Sequence, residues 1–284
     1  MKFSLLMSIY NKEKPEFFER AMRSVWNEQT VKPDEIVLVK DGPLNDQLET
    51  VINRWKVILS DVLIIVGLPE NIGLGGALNI GIDRCSNELI ARMDTDDISY
   101  SDRFEKQLAV FEHMNVDICS GNVSEFDQDE HKIIFYRNIP ESHDEIFKYF
   151  KVRSAVNHPA VMFKKTAVLN AGSYQTMIWF EDYYLWVRML LNGSIFFNIQ
   201  EPLVNMRAGY GQLVRRSGLR YAVAEYRFMK ELKNIGFLNF FEFARNVAIR
   251  FVARTMHKSI LKRIYRNLRE PSYLQVVLFV VISL

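Results

Sequence analysis

Three carboxylates in four residues, Asp94, Asp96 and Asp97, follow directly on the apolar run Leu89-Ile90-Ala91. Such a run reads as a buried strand, so the acids arrive together at a sheet edge. Like charges that close disfavour one another unless a cation or water offsets them. Carboxylate oxygens suit Mg²⁺ or Mn²⁺, and Mg²⁺ is commonly held by one or two carboxylates plus substrate phosphates. The triplet reads either as a metal–diphosphate site or as a solvated acidic turn ahead of the next helix. A second acidic pair, Glu181-Asp182, opens a helical pattern that runs to Leu191, where the helix dipole favours negative charge. His158, in Asn157-His158-Pro159, is a third candidate. It could hydrogen-bond a ligand, bind the metal, or be a satisfied structural group.

The elements that must position these groups alternate. Continuous apolar runs predict strands at Phe3–Ile9, Glu35–Val39, Val62–Val66 and Glu88–Arg92. Helical spacing predicts helices at Pro15–Glu28, Leu48–Leu59, Leu74–Arg84 and Ser101–Met114. Short unbroken apolar strands between amphipathic helices argue for a mostly parallel α/β sheet covered on both faces. Ligands in such sheets bind beyond the carboxyl ends of the strands. The first, second and fourth strands end at Tyr10-Asn11, Lys40-Asp41-Gly42 and the acidic triplet. Their convergence on one edge favours the metal-site reading over the turn. After residue 115 the pattern loosens. Strands are expected at Val116–Val123, with Lys132–Tyr136 as an extension, at Ala160–Phe163, and as two short late strands at Ser194–Asn198 and Leu203–Met206; Asp144–Phe150 reads as a short helix.

The 284 residues are 49% hydrophobic and 25% charged, ordinary for a globular chain. Cys85 and Cys119 are far apart, match no metal spacing and read as buried free thiols in a reducing compartment. The apolar start is too short for a signal peptide and reads as the first strand. The net charge of +2 hides a division. Residues 1–206 hold 21 Lys and Arg against 30 Asp and Glu, a balance of −9, whereas residues 207–269 hold 15 against 3, a balance of +12. A basic tail on an acidic body suggests an anionic surface as partner.

Five ordered motifs carry a resemblance. They are Leu6-Met7-Ser8-Ile9-Tyr10-Asn11; Glu35 to Gly42; Glu70-Asn71-Ile72-Gly73 with Ala77 to Gly81; Asp94-Thr95-Asp96-Asp97; and Glu181-Asp182 with Leu185-Trp186. In this order the chain resembles the family 2 glycosyltransferases, inverting enzymes of GT-A fold, over roughly residues 3–206. Within them it is similar to bacterial enzymes that build O-antigen, capsule or amylovoran-type exopolysaccharide.

The resemblance implies a nucleotide-binding half at about residues 1–100 and an acceptor half at about 101–206, followed by a helical extension over 207–284. It implies a nucleotide sugar held by Ser8, Tyr10, Asn11, Asp41, Asn71, Asp94 and Asp96, with Mn²⁺ or Mg²⁺ on Asp96 and Asp97. Tyr10 would stack on the base or merely lid the core. Asp41 would accept from the base, as a carboxylate can only accept, and is also compatible with an Asp-Gly turn. Asp182 is implied as the base that takes the acceptor hydroxyl proton, with Glu181 orienting it. His158, Trp179 and Phe180 are candidates for the acceptor side, the two aromatics as an apolar platform. One departure stands out: Leu78 occupies a position where the family commonly carries Arg, leaving Arg92 and Lys40 as nearby candidates to meet the diphosphate.

The tail lies outside the strong part of the resemblance. Phe237–Leu268 carries apolar residues at helical spacing with Arg245, Arg250, Arg254 and other bases among them. Such a helix either lies at an anionic membrane surface or packs on the body. Tyr273–Leu284, at 12 residues, is too short to span a bilayer. No nucleic-acid recognition motif is evident. The reading is a cytoplasmic transferase, peripheral on the inner face of the cell membrane, acting on a lipid-linked or oligosaccharide acceptor. A nucleotidyltransferase would need a Gly-rich basic loop where Tyr10-Asn11-Lys12-Glu13 stands. A non-catalytic binding protein would have no use for both acidic groups.

Overall fold

The computed structural model describes residues 1–208 and 218–255. Its first half is β1 (Phe3–Ile9), α1 (Pro15–Trp26), β2 (Glu35–Lys40), α2 (Asp46–Leu59), β3 (Leu63–Gly67), α3 (Leu74–Arg84) and β4 (Leu89–Met93). Pro15 sits in the first turn of α1, where its missing N–H costs nothing. Asn45 caps α2 by accepting from the Leu48 N–H at 3.0 Å. The strands are mostly apolar because both faces are covered. Phe3, Leu5, Met7 and Ile9 of β1 point into a core shared with α1 and α2, while Leu6 points with Val37 and Val39 into a second core under α3. Gly81 permits the approach of α3: a Cβ there would fall 2.3 Å from Leu6 Cδ1.

The second half is β5 (Ile98–Ser99), α4 (Arg103–His113), β6 (Ile118–Phe126), β7 (Phe135–Arg137), α5 (His143–Phe150), β8 (Met162–Lys164), α6 (Lys165–Asn170), α7 (Glu181–Leu191) and β9 (Phe196–Arg207). The strand order is β3-β2-β1-β4-β8-β6-β9-β5, with β7 beside β6. β1 to β4 are mutually parallel, as expected, and β9 runs parallel to β6; β5, β7 and β8 are antiparallel to their partners. The two late strands expected from sequence are one. β9 runs unbroken, and the register shifts on either side of Asn122 of β6 absorb Gln200-Glu201 and Leu203 as bulges, leaving Pro202 opposite Asn122. Gly121 is required there, since a Cβ would lie 2.5 Å from Leu203 Cδ1.

Two helices follow, α8 (Leu219–Asn234) and α9 (Phe240–Thr255). Phe228 of α8 stacks on Phe180 at 4.6 Å and meets Tyr183 edge-on at 4.9 Å. Such pairs contribute about 0.5–1.5 kcal/mol beyond burial. Asn246 of α9 donates to the Lys151 carbonyl at 2.6 Å. Arg250, one of the bases named along the tail helix, is buried and paired with Glu225 and the Val152 carbonyl. The described part of the tail therefore packs on the body through one face of each helix. Residues 256–268 of the expected basic helix and the apolar stretch 273–284 lie outside the described residues.

Candidate active site

The parallel register brings the expected strand ends to one edge. Ile9 lies opposite Lys40, Lys40 opposite Gly67, and Met7 opposite Met93. Ser8 is partly buried, Tyr10 is 44% exposed just beyond β1, and Asn11 is exposed with its carbonyl accepting from Asn45 Nδ2 at 3.2 Å. Asp41 is buried, and its Oδ1 accepts the Ile72 N–H at 2.8 Å while Asn71 Nδ2 donates to its carbonyl at 3.1 Å. Gly42 has φ +88°, and a Cβ there would lie 2.8 Å from the Asn71 nitrogen. The turn after β2 and the loop after β3 are thus clamped into one pocket wall.

The acidic triplet leaves β4 beside them. Beneath it lies Arg92, 1% exposed, whose guanidinium forks both oxygens of Asp94, one at 2.7 Å. Arg92 and Lys40 were the sequence candidates for the diphosphate. Both are committed elsewhere, Lys40 to Glu49 at 2.5 Å. Asp97 is buried, and its Oδ1 accepts the Arg207 N–H at 2.8 Å. Asp96 stays partly exposed. Burial first, then Asp94 and Glu13, push its carboxyl up to about 7. Asp97 is shifted up in the same way by burial, Asp94 and Asp96.

Two residues of this end were not singled out in the sequence. Glu13 accepts from Thr95 Oγ1 at 2.8 Å, and burial holds its carboxyl above the ordinary range. Arg207, the last residue of β9, donates from Nε to the Asp96 carbonyl at 3.2 Å. Its guanidinium lies 3.8 Å from the Phe17 ring centre and 4.5 Å from that of Phe126. No sequence signal marks either, because each reaches the triplet only through the folded sheet.

Among the described residues no cluster of three or more His, Cys, Asp and Glu is arranged to hold a metal by itself. The donor set nevertheless fits a hard divalent ion. Asp96 offers oxygen ligands whose charge burial and its neighbours leave undercompensated, the condition a cation relieves. A pH dependence follows. The folded chain holds protons on Asp96 up to about 7, against 3.8 for the ordinary carboxyl, so across that window it binds more protons than the unfolded chain. Stability then falls as pH rises. In EDTA the melting temperature is expected to be higher at pH 5.5 than at pH 7.5, with Mn²⁺ closing the gap at the higher pH. A flat or rising profile in EDTA would contradict this account of the triplet.

The other acidic pair opens α7. Glu181 is half-buried, held above the usual range by burial and then by Asp182. α3 approaches it closely: a Cβ on Gly75 would lie 3.6 Å from Glu181 Cγ and 3.4 Å from Tyr174 Cβ. Tyr174 is fixed from both sides of its peptide by Asn79, which donates to its carbonyl and accepts from its N–H, each at 2.8 Å. The Tyr174 hydroxyl meets His158 Nε2 at 2.8 Å, and both rings pack edge-on against Trp186. His158 keeps an edge of accessible surface, yet its neighbours desolvate the ring. Burial, aided by Arg92, holds it well below its usual pKa, while burial raises Tyr174. His158 and Tyr174 both feel the charge of Arg92, and Tyr174 also those of Asp182 and Asp94, so the phenol lies within electrostatic reach of both acidic groups.

One of the two expected platform aromatics, Phe180, is corrected. Phe180 is buried between Phe228 and Tyr221 and offers no face to a ligand. Trp179, with φ +70° and 46% exposed, is turned outward against Tyr221 of α8 at 5.1 Å. A non-glycine residue in the left-handed region is held there by its surroundings. Leu78 is buried under β1 and β2, so α3 brings no charge to the donor end at that position.

Residues 4–169 match the family described as Glycosyl transferase family 2. The chain is 39% identical to the amylovoran biosynthesis glycosyltransferase AmsE of Erwinia amylovora, covering 94% of this chain and 98% of the relative. It is 36% identical, over 94% of this chain and 96% of the relative, to an Escherichia coli UDP-Gal:alpha-D-GlcNAc-diphosphoundecaprenol beta-1,3-galactosyltransferase. Among solved structures it superposes on S. aureus TarS in complex with UDP-GlcNAc, with TM-score 0.65, 15% identity, and 93% and 79% of the two chains covered. It also superposes on the mannosyltransferase PcManGT of Pyrobaculum calidifontis in complex with GDP-Man and Mn²⁺, with TM-score 0.63, 14% identity, and 99% and 85% covered.

Proposed function

The chain belongs to glycosyl transferase family 2, and from that premise we propose that it moves a hexose or N-acetylhexosamine from a UDP-sugar to a lipid-diphosphate-linked saccharide, with inversion, during assembly of a bacterial surface polysaccharide. The observation that supports this most directly is the pairing of two acidic groups of different character at one sheet edge. One end is buried, crowded and short of positive charge; the other is a carboxylate pair on a helix N-terminus.

The residues divide the work. Tyr10 offers a face for the base and Asp41 closes the wall beside it. Asp94, fixed by Arg92, and Asp96 face the ribose and diphosphate. Mn²⁺ or Mg²⁺ would be held by Asp96 with Asp97 behind it, supplying Lewis-acid charge to a departing nucleoside diphosphate. Asp182 removes the acceptor hydroxyl proton as the new bond forms, and Glu181 orients it. Base and leaving group on opposite faces of the sugar give a single displacement with inversion, the logic also found in inverting glycosidases. Trp179 carries the acceptor sugar. The lipid-linked acceptor named for the 36% identical relative supports an acceptor of that class, met at the anionic cytoplasmic face of the membrane by the basic tail. Among the described residues no helix is long and apolar enough to cross a membrane.

The test is transfer by the purified chain with Mn²⁺, UDP-sugars and a synthetic GlcNAc-diphosphate lipid, with NMR of the product. A new linkage of inverted anomeric configuration is expected. Retention of configuration, or no transfer from any UDP-sugar, would overturn the reading.

A further inference from the structure

We infer that the groove between α8 and α9 holds the hydrocarbon chain of the acceptor; this rests on the lipid-linked acceptor proposed above. The groove holds a cavity of about 300 Å³ lined chiefly by Leu219, Val223 and Tyr226 of α8 and by Val247 and Phe251 of α9, with the Glu225–Arg250 ion pair also on its wall. Leu219, Val223 and Tyr226 recur at helical spacing along the outer side of α8, and all three are exposed. The opposite side of α8 carries Phe228 and Leu232 into the body. This outer side of α8 is covered only in part, by the contact of Tyr226 with Phe243 of α9, and leaves apolar surface exposed.

Three observations select the occupant. The first is position. Tyr221 lies between Leu219 and Ala222 and stacks on Trp179, which precedes the Glu181-Asp182 pair. The groove therefore begins where the acceptor end of the site stops. The second is charge. Arg220, Arg227, Lys230 and Lys233 are exposed along α8. The acids of these helices are turned inward or bonded: Glu225 is buried on Arg250, Glu231 accepts from Tyr184 and Asn234, and Glu242 accepts from the Asn239 N–H. Four exposed bases against the one partly exposed Glu231 leave α8 net cationic on its solvent side, which favours an anionic chain-bearing molecule over a neutral or basic one. The third is order. An acceptor of this class presents sugar, diphosphate and hydrocarbon in sequence. The protein presents the carboxylate pair and Trp179, then Arg220, then the apolar groove. Arg220, exposed in the first turn of α8, is the residue we assign to the diphosphate.

The experiment uses the full chain in detergent, without donor, so that it does not depend on transfer. Two probes are titrated by calorimetry: a long-chain isoprenyl diphosphate without sugar, and methyl diphosphate. The wild type is expected to bind the long-chain probe at least 10-fold more tightly than methyl diphosphate. Val223→Glu, and independently Phe251→Asp from the facing helix, are expected to abolish that preference with unchanged melting temperature. Equal affinity of wild type for the two probes would overturn the inference, as would both variants retaining the preference. Either result would mean that the groove takes a bilayer lipid, or residues 256–284 of the chain itself. If the preference holds while no sugar is transferred, the groove assignment stands and the transferase reading falls.

Discussion

Asp182→Asn is expected to slow sugar transfer by about 10²–10⁴-fold, the usual loss when a positioned general base is removed. The amide is nearly the same size and accepts no proton. It sits one residue into α7, which is anchored by Phe180 before it and Trp186 behind it, so the fold should not change. The loss should fall on kcat, with the KM for the UDP-sugar little altered, if the donor is held at the other acidic group as proposed. Glu181→Gln serves as the comparison. Glu181 lies against Gly75 of α3, where it can orient its neighbour, and its amide should cost less. Steady-state kinetics on the two variants decide the assignment. A larger loss in Glu181→Gln moves the base to Glu181, and near-normal turnover in Asp182→Asn removes Asp182 from the chemistry.

The second large effect is expected at Asp96. Asp96→Asn should lower kcat by roughly 10²–10³-fold, the cost of removing one preorganised group that stabilises transition-state charge, and should raise the Mn²⁺ concentration needed for half-maximal rate. Asp97→Ala should behave differently. Its Oδ1 accepts the part-buried N–H of Arg207, and leaving that donor unpaired costs about 1 kcal/mol of stability. Asp97→Ala should therefore melt earlier, while Asp96→Asn in EDTA at pH 7.5 should melt no earlier than wild type, having lost a poorly compensated charge. Metal titrations and thermal melts on both variants separate the roles. The same Mn²⁺ requirement in Asp96→Asn as in wild type would refute the assignment.

Much of this was legible before the fold was known, and for physical reasons. β1 to β4 are short and buried on both faces, so each reads as a continuous apolar run stopped by a polar turn. That placed Tyr10, Asp41 and the triplet at one edge. β9 was harder, because Gln200-Glu201-Pro202 interrupts its apolar pattern and only the bulge opposite Gly121 keeps it whole. β5, at two residues, is below what periodicity can register. The supporting groups were illegible for another reason. Glu13, Arg207 and Tyr174 act at points reached through sheet register and loop closure, and nothing local distinguishes them from other residues of their type. Phe180 misled because an aromatic beside a candidate base looks alike in sequence whether it faces solvent or core. Its burial is decided by α8, a helix some 40 positions later in the chain.

The hydrogen-bonded pair of His158 and Tyr174 has a consequence for how the site handles charge. The imidazole is kept neutral and the phenol kept protonated through the neutral range. Neither therefore adds a charge of its own beside Arg92. Under the proposed function the pair supplies hydrogen-bonding groups but no countercharge, so the negative charge of a departing diphosphate would have to be met by a bound cation rather than by a histidinium.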